Sequence, residues 1–267
     1  MASGEFHKMH GLGNDFVVID VRAHLIEMTK PRASAIADRN TGIGCDQLIL
    51  LEPSQKADLA MRIFNADGGE VEACGNAARC VVKLLGNDVS IETAGGVIDG
   101  HISGSQVTID MGQPRFDWEE IPLAYAMDTE KMPLAWEELA GPVAVNVGNP
   151  HVVFIVGNNK AVDLERLGPI IEHDDVFPER VNVNVADIAL GEINLRVWER
   201  GVGETRACGT GACATAVAAI ARDYVQSPAR VHLPGGTLTV EWERGGNILM
   251  AGDAVHVFTG QADWDDF

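Results

Sequence analysis

Two of the five cysteines stand in matching strings, Ala73-Cys74-Gly75-Asn76-Ala77-Ala78 and Ala207-Cys208-Gly209-Thr210-Gly211-Ala212, 134 positions apart. A thiol at a helix start lies at the positive end of the helix dipole, which lowers its pKa and enlarges its thiolate fraction. The glycine that follows lets the backbone come close to a ligand, and the N–H groups of the first turn suit a carboxylate. Two such helix starts gripping one carboxylate would set a thiol on each side of the neighbouring carbon. That is what racemisation or epimerisation without a cofactor needs: a base removes the α-proton from one face and an acid delivers a proton to the other. The alternative is that Cys74 and Cys208 are buried small residues beside ordinary turn glycines. Cys45, Cys80 and Cys213 lack the glycine and the helix start, and core packing is their expected role.

Short β-branched runs bounded by Gly, Asp or Asn recur along the chain, among them Phe16–Ile19, Leu48–Leu51, Ala60–Phe64, Val107–Ile109 and Ile193–Val197. The C-terminal third continues in the same way, with Arg230–Leu233, Thr237–Trp242 and Val255–Phe258 spaced like a meander. Two segments break the strand pattern and predict helices, Asn76–Leu85 and Gly211–Tyr224, each opening at a cysteine motif. Small apolar residues on every side of a helix mean burial, so each is expected to be a central helix enclosed by strands. The stretch from Gln113 to Pro142 gathers prolines, acids and tryptophans and is expected to connect two domains through a short helix. The boundaries then fall at residues 1–115 and 116–252, with the tail from about 253 to 267 completing the first domain. One motif per half, at a period near half the chain, points to two similar domains; solenoid repeats run about 20–50 residues.

The 267 residues carry 20 Lys+Arg against 39 Asp+Glu, a formal net charge of −19, and 46% of them are apolar. Such a surface repels nucleic-acid phosphates and anionic lipid headgroups, so neither nucleic acid nor membrane is an expected partner. An odd number of cysteines does not make a secreted disulfide framework, and Glu5, His7, Lys8 and His10 stand where a signal peptide needs its apolar core. A cytoplasmic location is expected. No C-x-x-C, complete G-x-G-x-x-G, G-x-x-x-x-G-K-[ST] or H-E-x-x-H occurs, which argues against zinc, redox, dinucleotide and P-loop chemistry.

Over nearly its whole length the chain resembles the cofactor-independent diaminopimelate epimerases. The resemblance runs through His10–Phe16, Gly42–Gln47, Asn65–Cys80, Gly148–His151, Val181–Val183 and Glu199–Ala214. It implies an α/β (α+β) fold of two similar domains, each a mostly antiparallel strand barrel around a central helix, with the active site in the interdomain cleft. It implies interconversion of LL- and meso-2,6-diaminopimelate, an amino-acid substrate, in lysine and peptidoglycan precursor synthesis. It also implies no cofactor, no metal and a possible homodimer.

Cys74 and Cys208 match the family's catalytic cysteines, and His151 and Glu199 match residues that assist them. Gly75, Asn76, Gly209 and Thr210 match the helix starts that hold the carboxylate at the reacting carbon. Asn65, Asn182 and Arg200 match residues for the distal amino-acid end, where Glu199 can accept from an ammonium. Asn14, Gln47 and Asn149 match further substrate-side positions. Gly69, Ala77 and Cys45 depart from the residues common in the family, and none of them is a catalytic position. The runner-up, a proline or hydroxyproline racemase, typically carries CGH and SPCGTG where this chain has Cys74-Gly75-Asn76 and Arg206-Ala207-Cys208-Gly209.

Overall fold

The computed structural model describes residues 3–71, 74–104 and 106–267. The chain divides into two compact units, one of Met1–Ile109 with Gly252–Phe267, the other of Asp110–Ala251. In the first unit β1 (Ser3–Gly11) and β2 (Asn14–Asp20) form a hairpin, with Leu12 and Gly13 turning at φ 57° and 84°. Helix α1 (Lys30–Ala37) follows, then β3 (Gln47–Glu52), β4 (Leu59–Asn65) and the two-residue β5 (Glu70–Val71). Helix α2 (Gly75–Leu85) leads to β6 (Val89–Thr93), β7 (Gly96–Ser103) and β8 (Gln106–Asp110). Strand β3 runs parallel to β2 and antiparallel to β4, with Gln47 directly opposite Asn65. Thus two candidate substrate-side residues become cross-strand neighbours.

The second unit opens with an irregular segment that holds the two-residue strands β9 (Ala135–Trp136) and β10 (Leu139–Ala140). There follow β11 (Val143–Asn146), β12 (Pro150–Ile155) and helix α3 (Leu164–Glu172). Then come β13 (Asn182–Ala189), β14 (Glu192–Glu199) and β15 (Gly203–Thr205). Helix α4 (Gly209–Ala221) precedes β16 (Ala229–Leu233), β17 (Gly236–Glu241) and β18 (Leu249–Gly252). The last strand, β19 (Val255–Asp263), pairs antiparallel with β1 from Ser3–Asp263 to His10–Val255, which ties the chain's tail into the first unit.

Each unit has its own buried helix. Helix α2 packs against β1, β2, β7 and β19, and every residue from Gly75 to Val82 is buried. Helix α4 packs against six strands, β11 to β14, β16 and β17. Of its residues Gly209 to Ala219 only Thr210 is not fully buried. Small side chains on all sides allow that approach. An ideal Cβ on Gly211 would lie 2.8 Å from Asn184 Oδ1 and 3.0 Å from Val197, so the first turn of α4 has no room for alanine. Helix α4 ends at Ala221, three residues earlier than the composition predicts. Asp223 takes φ 57° there, and Tyr224 N–H turns back to the Ala219 carbonyl at 2.9 Å.

The short helix expected between Gln113 and Pro142 does not form. Pro114, Pro122, Pro133 and Pro142 interrupt any helical run, since each removes an N–H and crowds the preceding turn. The apolar residues of this segment serve as anchors. Ile121, Leu123, Met132 and Leu139 are buried in the core of the second unit, and Trp136 stacks on Phe177 at 6.1 Å and meets Phe154 edge-on at 5.9 Å. Among the described residues no helix is long and apolar enough to cross a membrane.

Candidate functional site

The first helix start is built on Cys74, the residue preceding the first turn of α2, with an extended backbone at φ −149°. Its thiol is half-buried and lies 3.9 Å from Asn14 Oδ1. Asn76 Nδ2 donates to the same oxygen at 3.3 Å, and Arg79, wholly buried one turn further on, donates from Nη2 to Asn76 Oδ1 at 2.7 Å. Asn14 is held from its other end, its Nδ2 donating to Asp46 Oδ2 at 3.2 Å. Behind it Arg39 bridges Asp46 at 2.7 Å and Asp15 at 2.5 Å, and Lys8 is bonded to Asp15 and to the Gly44 carbonyl. Bonds from Arg39 and Lys8 outweigh the burial of Asp15 and lower its pKa to about 2. The string Gly42–Gln47 thus acts as the brace that fixes Asn14 beside the thiol. Next to it Gln47 Nε2 donates to Asn65 Oδ1 at 2.9 Å, while Gln47 Oε1 is buried without a partner. Ala73 lies outside the described residues.

The second helix start repeats the backbone in different surroundings. Cys208 precedes the first turn of α4 at φ −127° and is 5% exposed. Its sulfur accepts from Gly211 N–H at 3.4 Å and lies 3.5 Å from Thr210 Oγ1. The expectation that a helix start lowers the thiol pKa fails for Cys208. Burial and then the neighbouring Glu199 carboxylate push it well above its ordinary value, outweighing the bonds from Thr210 and Gly211. Burial also raises Glu199, against a bond from Thr205 Oγ1 to Glu199 Oε1 at 2.5 Å. Desolvation of a charged form exceeds the dipole contribution of about 0.3–1 kcal/mol when the group leaves water altogether.

His151, Asn149 and Asn182 lie near one another at the start of β12 and β13. His151 is wholly buried, its pKa pushed down to about 3 by burial. Both ring nitrogens have partners, Nε2 with Asn149 Oδ1 at 2.8 Å and Nδ1 with Asn184 Nδ2 at 3.0 Å. Asn182 clamps backbone, donating to the Pro150 carbonyl and accepting from Arg200 N–H, both at 2.9 Å. The exposed Arg200 side chain donates to the Glu179 carbonyl at 2.9 Å. Glu172, buried beneath that turn, accepts from Gly201 N–H at 2.9 Å and Trp198 Nε1 at 2.7 Å.

Sequence reading missed Thr205, Asn184, Glu172 and the Lys8–Asp15–Arg39–Asp46 brace. Only Asn184 carried a visible signal: with Asn182 it places amides at alternate positions among the valines that open β13. Among the described residues no group of three or more His, Cys, Asp or Glu is placed to hold a metal ion.

Two units, each opening a buried helix at a cysteine within a mostly stranded framework, define a mixed α/β fold shared with several solved structures. A phenazine biosynthesis protein of the PhzF family from Bacillus anthracis superposes with a TM-score of 0.70 at 17% identity, covering 98% of this chain and 99% of that one. A hydroxyproline epimerase from Agrobacterium vitis superposes with a TM-score of 0.67 at 17% identity, covering 97% and 92%. Likeness at that identity shows the fold alone. Sequence decides the family: the diaminopimelate epimerase family matches residues 6–117 and 143–257. A diaminopimelate epimerase from Rhizorhabdus wittichii is 64% identical over 264 residues, covering 98% of this chain and 96% of the relative. The chain belongs to the diaminopimelate epimerase family.

Proposed function

We propose that the chain interconverts LL- and meso-2,6-diaminopimelate by moving the α-proton between two cysteines. The family catalyses this epimerisation in lysine biosynthesis, and its substrate is an amino acid. The observation that carries the reading is the paired construction, a thiol immediately before a glycine-led first turn in each unit.

One cysteine begins a turnover as thiolate and takes the α-proton, becoming a thiol. The electron pair left on the α-carbon delocalises into the adjacent carboxylate. The other cysteine, a thiol at the opposite face, gives its proton to the α-carbon and becomes the thiolate, so the reverse reaction starts from the product state. The growing negative charge on the carboxylate is met by first-turn N–H groups, which have no acceptor within their helix. At α4 these are Gly209 and Thr210, because Gly211 N–H already points at the Cys208 sulfur. At α2 they are Gly75, Asn76 and Ala77, since Ala78 N–H is bonded to the Cys74 carbonyl.

Glu199 adjusts the proton affinity of Cys208. Asn14 and Asn76 orient the Cys74 side, and Asn65, Gln47, Asn149, Asn182 and Arg200 recognise the substrate's amino-acid ends. His151 assists the cysteines through the Asn149 side chain it holds. The two compact units are read as the two epimerase domains. A reducing cytoplasm suits paired thiols, and the acidic surface disfavours nucleic acid. A homodimer belongs to the same reading, and sedimentation equilibrium tests it.

The decisive assay gives purified, reduced protein LL-diaminopimelate without pyridoxal phosphate or metal, with L-proline as the parallel substrate. Formation of meso-diaminopimelate with no racemisation of proline is expected. Turnover of proline alone, or of neither substrate under reducing conditions, contradicts the reading.

A further inference from the structure

We propose that Asn184 is a positioning residue that fixes His151 as its Nε2–H tautomer and, through it, aims the Asn149 amide at the substrate. This rests on the reading above that Asn149 contacts substrate.

The orientation of Asn184 follows from its surroundings. The Val152 carbonyl can only accept, so the Asn184 atom facing it at 3.1 Å is the amide nitrogen. The same nitrogen lies 3.0 Å from His151 Nδ1 and 3.4 Å from the Asn182 carbonyl; the shorter contact takes the second amide hydrogen, and Nδ1 then offers a lone pair. A neutral imidazole with a lone pair on Nδ1 carries its proton on Nε2. That proton is donated to Asn149 Oδ1 at 2.8 Å. The half-exposed Asn149 therefore has its oxygen held inward, which leaves its two N–H donors for an outside acceptor such as a carboxylate. A protonated His151 is incompatible with this chain, because Nδ1–H would confront the Asn184 amide hydrogens.

Stability alone does not account for Asn184. It is wholly buried, and its Oδ1 has no hydrogen-bond partner. Such an acceptor is destabilising, and an apolar residue of the same size would avoid it. Space for that oxygen exists only because residue 211 is glycine, whose ideal Cβ would fall 2.8 Å away. The same Gly211 supplies the N–H bound to the Cys208 sulfur. Asn184 thus links the imidazole to the first turn of the cysteine-bearing helix.

The test combines 15N-histidine NMR with kinetics. Wild-type His151 is expected to show a protonated Nε2 and an unprotonated Nδ1, unchanged from pH 8 to 5. Asn184→Leu is expected to give mixed tautomers and a KM for diaminopimelate raised about tenfold, with kcat changed less than about threefold. Asn149→Ala should raise KM similarly, and the double variant should be no worse than either single one, because both changes break one chain. A wild-type proton on Nδ1, a folded Asn184→Leu with wild-type KM, or multiplying effects in the double variant would each overturn the proposal. Should Asn184→Leu not fold, the wild-type spectrum still decides the tautomer. Wild-type protein with the Nε2–H tautomer but no turnover of diaminopimelate supports the lock and contradicts the proposed function instead.

Discussion

The two helix starts share a backbone design and differ in almost everything around it. At Cys74 the thiol is half-buried among amides: Asn14 Oδ1 at 3.9 Å, with Asn76 and Arg79 behind it. At Cys208 the thiol is 5% exposed, and burial first and then a carboxylate, Glu199, raise its pKa. The repeated motif fixes where a thiol stands relative to a helix, whereas the surrounding residues fix how tightly it holds its proton. The difference lies in what faces each sulfur, amides beside Cys74 and a carboxylate beside Cys208.

The largest effect expected is loss of the pair. Cys74→Ala and Cys208→Ala should each lower kcat at least about a thousandfold, within the range for removing a general acid or base. A variant of either with near wild-type turnover breaks the two-thiol account. Next comes Glu199→Gln, which removes the charge opposing ionisation of Cys208. Its thiolate absorbance should appear at lower pH, and kcat should fall about tenfold to a hundredfold. An unshifted thiol titration would show that burial alone sets the proton affinity of Cys208.

Gly211→Ala separates packing from chemistry. The added methyl meets Asn184 at 2.8 Å and Val197 at 3.0 Å, so urea unfolding should show a loss of about 1–3 kcal/mol, the range for overpacking. Unchanged stability would mean that the first turn of α4 has slack.

The last effect is in acid. His151 holds a pKa of about 3 when folded against an ordinary 6.5, so the unfolded chain takes up a proton first as pH falls. Stability should therefore decline from about pH 6.5 downward, by up to about 1.4 kcal/mol per pH unit for one such group. Asp15, depressed from 3.8 to about 2, contributes stability that is present above pH 3.8 and lost as pH falls through 2. His151→Gln should flatten the decline between pH 6.5 and 4 and leave the Asp15 part below it. An equally steep decline in that variant would assign it to other groups.

Much of the framework was legible because it depends on local pattern. The helices at residues 76–85 and 211–224 appear as Gly75–Leu85 and Gly209–Ala221, and the β-branched runs fall in strands. Helices α1 and α3 gave weaker signals. Thr29 and Asp163 cap them, accepting from Arg32 and Arg166 N–H, but each helix is under ten residues long. Proton affinity was not legible. The dipole argument applies equally to both cysteines, yet tertiary burial and the approach of Glu199 raise Cys208. Thr205 and Asn184 were missed for the same reason: a residue that works by holding another side chain has no pattern of its own.

The measurement that tests the central claim most directly is the fate of the α-proton when LL-diaminopimelate turns over in D2O. Two thiols serving opposite faces predict that the earliest meso product carries deuterium at the inverted carbon while unreacted LL substrate carries none. Early product that keeps its original proton would mean that a single group both removes and returns it, and would contradict the account.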